Sequence, residues 1–270
     1  MLAQSGLRPK KRFGQNFLVN PASARRIARL SLEGAPPSPR VVEIGAGTGT
    51  LTRALLEEGA QLTAIEIDPE LVAILLARED LTGTTIVRDD ALCFDYTAWS
   101  GEAPWRVAGN LPYNVATPLL LRLIEMRGGP ESLTVMVQRD VARRFAAIPA
   151  TPAYGSLSVA VQYAMHVEQC FSLAPNSFFP APKVRSTVVR LTRREHPTAA
   201  PRDPVLFWKV VRGAFAYRRK TLVNSLAIAL ALDRAAIVRA LIRCNLSTEI
   251  RGERLDLGDF ARLADALAEG

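Results

Sequence analysis

A glycine-rich turn limits the folds open to this chain more than any other feature of its sequence. Gly45, Gly47 and Gly49 follow the apolar segment 41–44, and the helix-forming segment 51–56 comes soon after them. Glycines between a strand and a helix let a ligand approach the backbone, and the helix start offers it free N–H groups. The same residues also suit an ordinary tight turn, so the turn alone does not identify a ligand.

Strand and helix patterns alternate on both sides of this turn. Five short segments have the apolar pattern of strands, with helical stretches between most of them: residues 41–44, 62–67, 85–87, 106–109 and 133–137. This alternation predicts a parallel sheet with helices on both faces, which is an α/β fold. Two later segments, residues 166–173 and 184–191, flank a proline-rich loop and are expected to form a pair of strands at the edge of the sheet.

The last quarter of the chain has only helical patterns. Residues 196–204 contain three prolines and are interpreted as a linker. Beyond it, apolar residues recur at helical spacing in four segments: residues 205–215, 221–230, 234–243 and 259–267. We therefore predict an α/β domain over residues 1–195 and a small helical domain over residues 205–270.

The charge balance favours an anionic partner. The 34 Lys and Arg residues exceed the 26 Asp and Glu residues, which gives a net charge of +8. Such an excess favours nucleic acid over a membrane surface as the partner. Seven basic residues and no acidic residue precede Glu33, and a transit peptide has a similar composition. The paired aromatics Phe13 and Phe17 favour a different interpretation, a basic N-terminal arm (residues 8–18) that packs on the folded protein.

The cysteines and histidines indicate which redox compartment and which metal sites to expect. The three cysteines, Cys93, Cys170 and Cys244, are odd in number and far apart, which predicts a reducing compartment without a disulfide framework. The two histidines show no metal-ligand spacing, so we expect no metal site. No apolar run approaches the roughly 20 residues of a membrane helix. We expect a cytoplasmic monomer with no membrane partner.

Two carboxylates follow the next strands of the predicted sheet. Glu66 ends the second strand, where a carboxylate can accept hydrogen bonds from both hydroxyls of a ribose. This arrangement fits a dinucleotide and S-adenosylmethionine equally. Two details favour S-adenosylmethionine. A single residue separates Gly47 from Gly49, whereas the dinucleotide-binding pattern has two residues before its third glycine. The third strand also ends at Asp89 and Asp90, where a carboxylate can accept from an adenine amino group. Asp90 also suits a simple capping role.

The tetrapeptide Asn110-Leu111-Pro112-Tyr113 ends the fourth strand. Pro112 fixes its own backbone angle and keeps Leu111 out of the helical region. The Asn110 side chain and the Leu111 carbonyl are therefore held in a stiff segment beside an aromatic ring, which suits a site that grips a flat polar group. An ordinary Asn-x-Pro turn explains the same residues equally well.

Taken in chain order, these segments resemble the ribosomal RNA adenine N6,N6-dimethyltransferases, and most closely the bacterial branch that acts on small-subunit (16S) RNA. The matching segments extend over about 210 residues: residues 11–18, 43–47, 65–66, 90–91, 109–114, 153–155, Phe178, 180–184 and 218–221. The departures are mild: Ala46 and Thr48 replace a usual Pro and Leu, Tyr217 replaces a common Gln, and Phe179 stands where a smaller residue is usual. None of them puts the activity in question.

The resemblance implies a class I S-adenosylmethionine-dependent methyltransferase fold, a Rossmann-like, seven-stranded, mostly parallel sheet, followed by a small all-helical domain that binds RNA or the ribosome. It implies that two adjacent adenosines near the 3′ end of the small-subunit RNA are each methylated twice at N6, in small-subunit biogenesis. Asn16 and Leu18 would close over the cofactor, Glu66 would bind its ribose and Asp90 its adenine. The expected cofactor-binding residues are Asn16, Leu18, Gly45, Gly47, Glu66, Asp90 and Asn110.

The chemistry of such a reaction assigns roles to the tetrapeptide. The N6 lone pair of adenine is delocalised into the ring, so N6 is a poor nucleophile. If the Asn110 oxygen and the Leu111 carbonyl each accept one N6 hydrogen, the lone pair becomes localised and points at the methyl group. Pro112 would hold both acceptors still, and the rings of Tyr113 and Phe178 would stack on the two faces of a flipped base. Ordinary core packing is the alternative role for either ring.

The expected phosphate contacts, which give affinity without base choice, are Lys10, Lys11, Arg12, Arg218, Arg219 and Lys220. Three rival functions stay open. The protein is alternatively an assembly factor for which methylation is a release step, or an antibiotic-resistance methylase of large-subunit RNA. A dehydrogenase is the least favoured, because no residue supplies an acid or base for hydride transfer.

Overall fold

The computed structural model describes residues 9–10, 13–101, 103–112 and 115–269. Its strands are β1 (Phe17–Leu18), β2 (Arg40–Ile44), β3 (Gln61–Glu66), β4 (Thr85–Arg88), β5 (Arg106–Asn110), β6 (Ser132–Gln138), β7 (Met165–Leu173), β8 (Phe178–Phe179) and β9 (Ser186–Arg193). Its helices are α1 (Pro21–Leu32), α2 (Thr50–Glu57), α3 (Pro69–Leu76), α4 (Tyr96–Ser100), α5 (Ala116–Glu125), α6 (Arg139–Phe145), α7 (Ser156–Ala164), α8 (Pro204–Ala216), α9 (Leu222–Leu230), α10 (Arg234–Arg243) and α11 (Leu257–Ala268).

The sheet confirms the predicted α/β fold. Over the described residues, seven strands lie in the order β4-β3-β2-β5-β6-β9-β7, while β1 and β8 form a separate two-stranded ribbon. Strands β2 to β6 pair in parallel, and β9 runs antiparallel to β6. The predicted pair of late strands, β7 and β9, lies at the edge of the sheet. Parallel strands end at one edge, which brings the ends of β2, β3, β4 and β5 together.

Local sequence signals explain where two of the helices begin. Asn20 caps α1 by accepting a hydrogen bond from the Ser23 N–H at 2.9 Å, and Pro21 follows at the helix start. Asp68 caps α3 in the same way, with the Glu70 N–H at 3.1 Å. In both helices an Asn-Pro or Asp-Pro pair supplies a cap and a preset backbone angle.

Two compact units divide the chain. The first comprises the described residues up to Ala142 together with Val167–Arg193. Its core lies between α1, α2 and the sheet, and includes Leu18, Ile27, Leu55, Met136 and Val188.

The second unit comprises Arg143–His166 and the described residues from Arg194 onward. Helices α8 to α11 confirm the four helical segments predicted at the end of the chain. Tyr154 and Val159 belong to the same core as Phe207, Leu241 and Phe260, and the Tyr154 hydroxyl donates to the Leu255 carbonyl at 2.9 Å. Residues 143–166 therefore pack with the helical unit, whereas the predicted boundary at residue 195 grouped them with the α/β domain. None of the helices in the described ranges is long and apolar enough to cross a bilayer.

Candidate active site

A cavity of about 270 Å³ opens at the carboxyl ends of the parallel strands. The residues that line it come from six main segments of the first unit: residues 13–18, 43–48, 50–51, 65–67, 89–91 and 110–112. All seven residues that the sequence analysis assigned to the cofactor are among them: Asn16, Leu18, Gly45, Gly47, Glu66, Asp90 and Asn110. We call this space the strand-end cavity.

The glycine turn forms the floor of the strand-end cavity. Gly47 adopts a φ of +58°, and a Cβ atom there would lie 3.1 Å from the Phe17 ring. A side chain at this position would therefore be strained and would push the N-terminal arm away from the turn. The first glycine of the turn, Gly45, donates its N–H to the Ile65 carbonyl at 2.9 Å, which fixes the turn to β3.

Glu66 is buried at the end of β3, and both of its carboxylate oxygens already accept backbone hydrogen bonds. Oε2 accepts from the Gly47 N–H at 2.8 Å, and Oε1 accepts from the Asp68 N–H at 3.0 Å. Burial raises the pKa of Glu66, while the Asp68 and Gly47 N–H groups act in the opposite direction. Each carboxylate oxygen keeps a second lone pair, so the group remains able to accept from a ribose diol.

Asp90 has the capping role considered for it, and its role as an adenine acceptor stays a prediction. Its Oδ1 accepts from the Leu92 N–H at 2.9 Å, which is the capping role, and the residue also lines the strand-end cavity. The exposed side chain of Ile67 lies in the same wall and was not predicted. Its position directly after the strand-end carboxylate was the available signal, because an apolar surface beside the predicted ribose site suits an adenine ring.

The Asn110 side chain is oriented by the N-terminal arm. Its Nδ2 donates to the backbone carbonyl of Asn16 at 2.6 Å. Because an amide carries its donor and its acceptor on opposite sides, this bond turns Oδ1 away from Asn16 and presents it as an acceptor. No described residue donates a hydrogen bond to this oxygen.

Leu111 and Pro112 continue the segment in the expected way. The Leu111 N–H donates to the Met136 carbonyl at 3.2 Å, and the Pro112 carbonyl accepts from the Ala116 N–H at 3.0 Å as α5 begins. Among the described residues, none donates to the Leu111 carbonyl. Tyr113, the fourth residue of the predicted site, lies outside the described residues, as do Lys11 and Arg12.

Phe178 occupies the position that ordinary core packing would give it. Its side chain is 4% exposed and belongs to the core cluster that contains Leu18 and Val188. The stacking role considered for Phe178 beside ordinary core packing stays a prediction. The neighbouring Phe179 is 48% exposed.

The predicted phosphate contacts differ in their surroundings. Lys10 lies 2.8 Å from an Asp68 oxygen and 2.9 Å from a Glu70 oxygen. Arg218 donates to the carbonyls of Pro152 and Tyr154 in the second unit. Two other predicted contacts are exposed to solvent: Arg219 and Lys220.

Glu43, at the end of β2, is a buried acid in the wall of the strand-end cavity. Burial raises the pKa of Glu43 to about 8, and repulsion from Glu66 adds to the shift. Its Oε2 has no hydrogen-bond partner within the described part of the chain. Over the same residues, no group of three or more His, Cys, Asp or Glu side chains is placed to hold a metal ion.

Comparisons with known proteins show which family this chain belongs to. A sequence model of the family described as ribosomal RNA adenine dimethylase matches residues 6–268. A protein of Magnetococcus marinus named ribosomal RNA small subunit methyltransferase A is 41% identical over 98% of this chain and 94% of its own length. The protein of the same name from Pseudomonas aeruginosa is 42% identical over 97% of this chain and 96% of its own length.

Solved structures share the fold. A dimethyladenosine transferase from Plasmodium falciparum superposes with a TM-score of 0.75 at 23% identity, and covers 92% of this chain and 95% of its own. The 23S rRNA methyltransferase ErmE gives a TM-score of 0.69 at 24% identity, with 94% of this chain and 100% of its own covered. At these identities the two structures establish the shared fold alone.

Proposed function

Because this chain belongs to the ribosomal RNA adenine dimethylase family, we propose that it methylates N6 of two adjacent adenosines near the 3′ end of small-subunit (16S) RNA. The methyl donor in this proposal is S-adenosylmethionine, and the products are N6,N6-dimethyladenosines. Relatives more than 40% identical are named for the small subunit, whereas the 23S enzyme shares the fold at 24% identity. This difference favours the small-subunit target over the large-subunit alternative.

The donor set of the strand-end cavity fits the proposed cofactor. A carboxylate at the end of β3 suits a ribose diol, and Asp90 at the end of the neighbouring strand suits an adenine amino group. Gly45 and Gly47 let the ligand approach the backbone, and Asn16 and Leu18 form the opposite wall. When bound, S-adenosylmethionine supplies an electrophilic methyl group, so the protein has only to place the acceptor.

The observation that carries the proposal is the orientation of Asn110. With Nδ2 bound to the Asn16 carbonyl, Oδ1 accepts one N6 hydrogen of the target adenine and the Leu111 carbonyl accepts the other. Two fixed acceptors draw N6 toward tetrahedral geometry and localise its lone pair, which is stabilisation of the transition state by preorganised dipoles. Pro112 keeps these acceptors from moving apart. No strong general base is required, because the alkylated ammonium loses its proton readily.

The rest of the proposal concerns the RNA and the cell. A base that reacts in such a cavity must leave its stack, and Tyr113 is proposed to cover the flipped ring. Arg219 and Lys220 are proposed to contact phosphates. We also propose that the protein acts as a monomer in the cytoplasm, during small-subunit biogenesis.

One assay tests the reaction and the role of Asn110 together. Wild-type protein and Asn110→Ala are incubated with labelled S-adenosylmethionine and separated, unmethylated small and large subunits, and the labelled nucleotide is mapped. We expect label in the small-subunit RNA and a loss of about 10²–10³-fold in rate for Asn110→Ala. S-adenosylhomocysteine should still bind the variant, since Glu66 and the glycine turn are unchanged.

Two results would contradict the proposal in different ways. A normal rate for Asn110→Ala would disprove the acceptor mechanism. Label in the large subunit would instead favour the resistance-type alternative. The assembly-factor alternative predicts that Asn110→Ala still binds small subunits and slows growth more than a deletion does.

A further inference from the structure

We propose that Lys10 and Gln15 are positioning residues, which dock the N-terminal arm onto Asp68 and so complete the cofactor site and fix the orientation of Asn110. Asp68 is buried, and the arm engages both of its carboxylate oxygens. Lys10 Nζ donates to Oδ1 at 2.8 Å, and Gln15 Nε2 donates to Oδ2 at 3.0 Å. We call this pair of contacts the Asp68 anchor.

Lys10 and Gln15 are also hydrogen-bonded to each other, so the two contacts of the Asp68 anchor act as one. The Lys10 N–H donates to Gln15 Oε1 at 2.7 Å, while Nε2 of the same amide reaches Asp68. The Phe13 N–H donates to the Lys10 carbonyl at 3.0 Å. Loss of either side chain therefore loosens the same turn.

The Asp68 anchor is connected both to the proposed cofactor residues and to the proposed acceptor residue, Asn110. On one side, the Asp68 N–H donates to Glu66, which also holds the Gly47 N–H. On the other side, the Asn16 carbonyl accepts from Asn110. Asp68 is thus one hydrogen bond away from Glu66, the proposed ribose carboxylate. Gln15 is adjacent in sequence to Asn16, which binds the side-chain amide of Asn110.

The surroundings of Lys10 argue against the phosphate contact predicted from the sequence. Its ammonium group faces two carboxylates, Asp68 and Glu70, and its side chain is only 25% exposed. A phosphate would have to displace these carboxylates or approach against their charge. The hydrogen bond to Asp68 is the main cause that raises the pKa of Lys10, so the anchor keeps its charge across the working pH range.

The test compares Lys10→Met with Lys10→Arg, and includes Gln15→Leu as a second disruption. Asp68 itself is left intact because its side chain also caps α3. Binding of S-adenosylhomocysteine is measured by calorimetry without RNA, and kcat and the KM for unmethylated small subunits are measured separately. We expect Lys10→Met and Gln15→Leu to weaken cofactor binding about three- to tenfold and to lower kcat, with Lys10→Arg close to wild type. Arg25→Met, at an exposed position of α1, is the matched control for loss of a charge.

Unchanged cofactor affinity and kcat in Lys10→Met would overturn the proposal. If that variant instead lost RNA affinity and its salt slope became shallower by about 0.7–0.9, Lys10 would be a phosphate contact. Only the expected decrease in kcat rests on the proposed function. Cofactor binding without RNA tests the anchor even if the RNA target proves to be different.

Discussion

The two walls of the strand-end cavity are built in different ways. The strand wall consists of Glu43, Gly45–Gly47, Glu66 and Asp90, which lie at or just beyond the ends of parallel strands. The arm wall consists of residues 13–18, which are held by the Asp68 anchor, the Asn16–Asn110 hydrogen bond and the short β1–β8 ribbon. A change in the strand wall should therefore disturb the fold, whereas a change in the arm wall should alter binding and catalysis in a folded protein.

The largest effect is expected where β5 supports the strand wall. A Cβ atom at Gly109 would lie 2.6 Å from the Ile44 carbonyl oxygen, which is a backbone atom of the neighbouring strand. Neither strand can move away without breaking the sheet. Gly109→Ala should therefore lower the free energy of unfolding by about 3 kcal/mol or more, as measured by urea denaturation.

Gly155→Ala is the matched control for Gly109→Ala. Gly155 has an extended backbone, and no atom lies within 4 Å of the position a Cβ would take. Equal unfolding midpoints for the two variants would mean that the close approach of β2 and β5 does not limit stability.

The same contrast explains what the sequence could predict. Alternating apolar segments and glycines place the carboxylates of the strand wall, because the carboxyl ends of parallel strands meet at one edge. Glu66 and Asp90 therefore follow from local patterns, as do the caps at Asn20 and Asp68. The roles within this wall that escaped prediction, such as that of Ile67, are those of apolar side chains without a distinctive pattern.

The contacts of the arm wall join residues that are remote in sequence. Lys10 and Asp68 are 58 residues apart, and Asn16 and Asn110 are 94 residues apart. No periodicity links such pairs, so the sequence does not show that Lys10 lies beside Asp68. The burial of Phe178 has a related cause: the register of the β1–β8 ribbon decides which ring faces the core, and a one-residue shift exchanges the two faces.

A smaller effect is expected at Glu66, where the strand wall meets the cofactor. Glu66→Gln keeps one acceptor oxygen but replaces the other with a donor that faces the N–H of Gly47 or of Asp68. We expect S-adenosylhomocysteine to bind about 10–100-fold more weakly, as the loss of a charge-assisted hydrogen bond predicts. Glu57→Gln, in an exposed ion pair with Arg53, is the control. Equal affinities of the two variants would exclude Glu66 from the cofactor site.

Glu43, in the strand wall, should make the free energy of unfolding depend on pH. The pKa of Glu43 is about 8 in the folded protein, against an ordinary value near 4.5. Between these values the folded protein retains a proton that the unfolded chain has lost, so stability falls as the pH rises from about 4.5 to about 8. Relative to Glu43→Gln, the wild type should lose on the order of 1 kcal/mol per pH unit between pH 5 and pH 8. Parallel stability curves for the two proteins would show that Glu43 is ionised when folded.

Hydrogen exchange compares the two walls directly, with the smallest expected change. Amides of β2 and β3, paired on both sides in the sheet, should exchange only by global unfolding, with or without S-adenosylhomocysteine. Amides of residues 13–18 depend on a few contacts and should exchange faster, because the arm opens locally. Bound S-adenosylhomocysteine should slow the arm about tenfold and leave β2 unchanged, since a ligand that contacts the arm stabilises its closed position. Lys10→Met should increase the exchange of residues 13–18 further. Equal slowing of both walls would instead mean that the arm and the sheet open as a single unit.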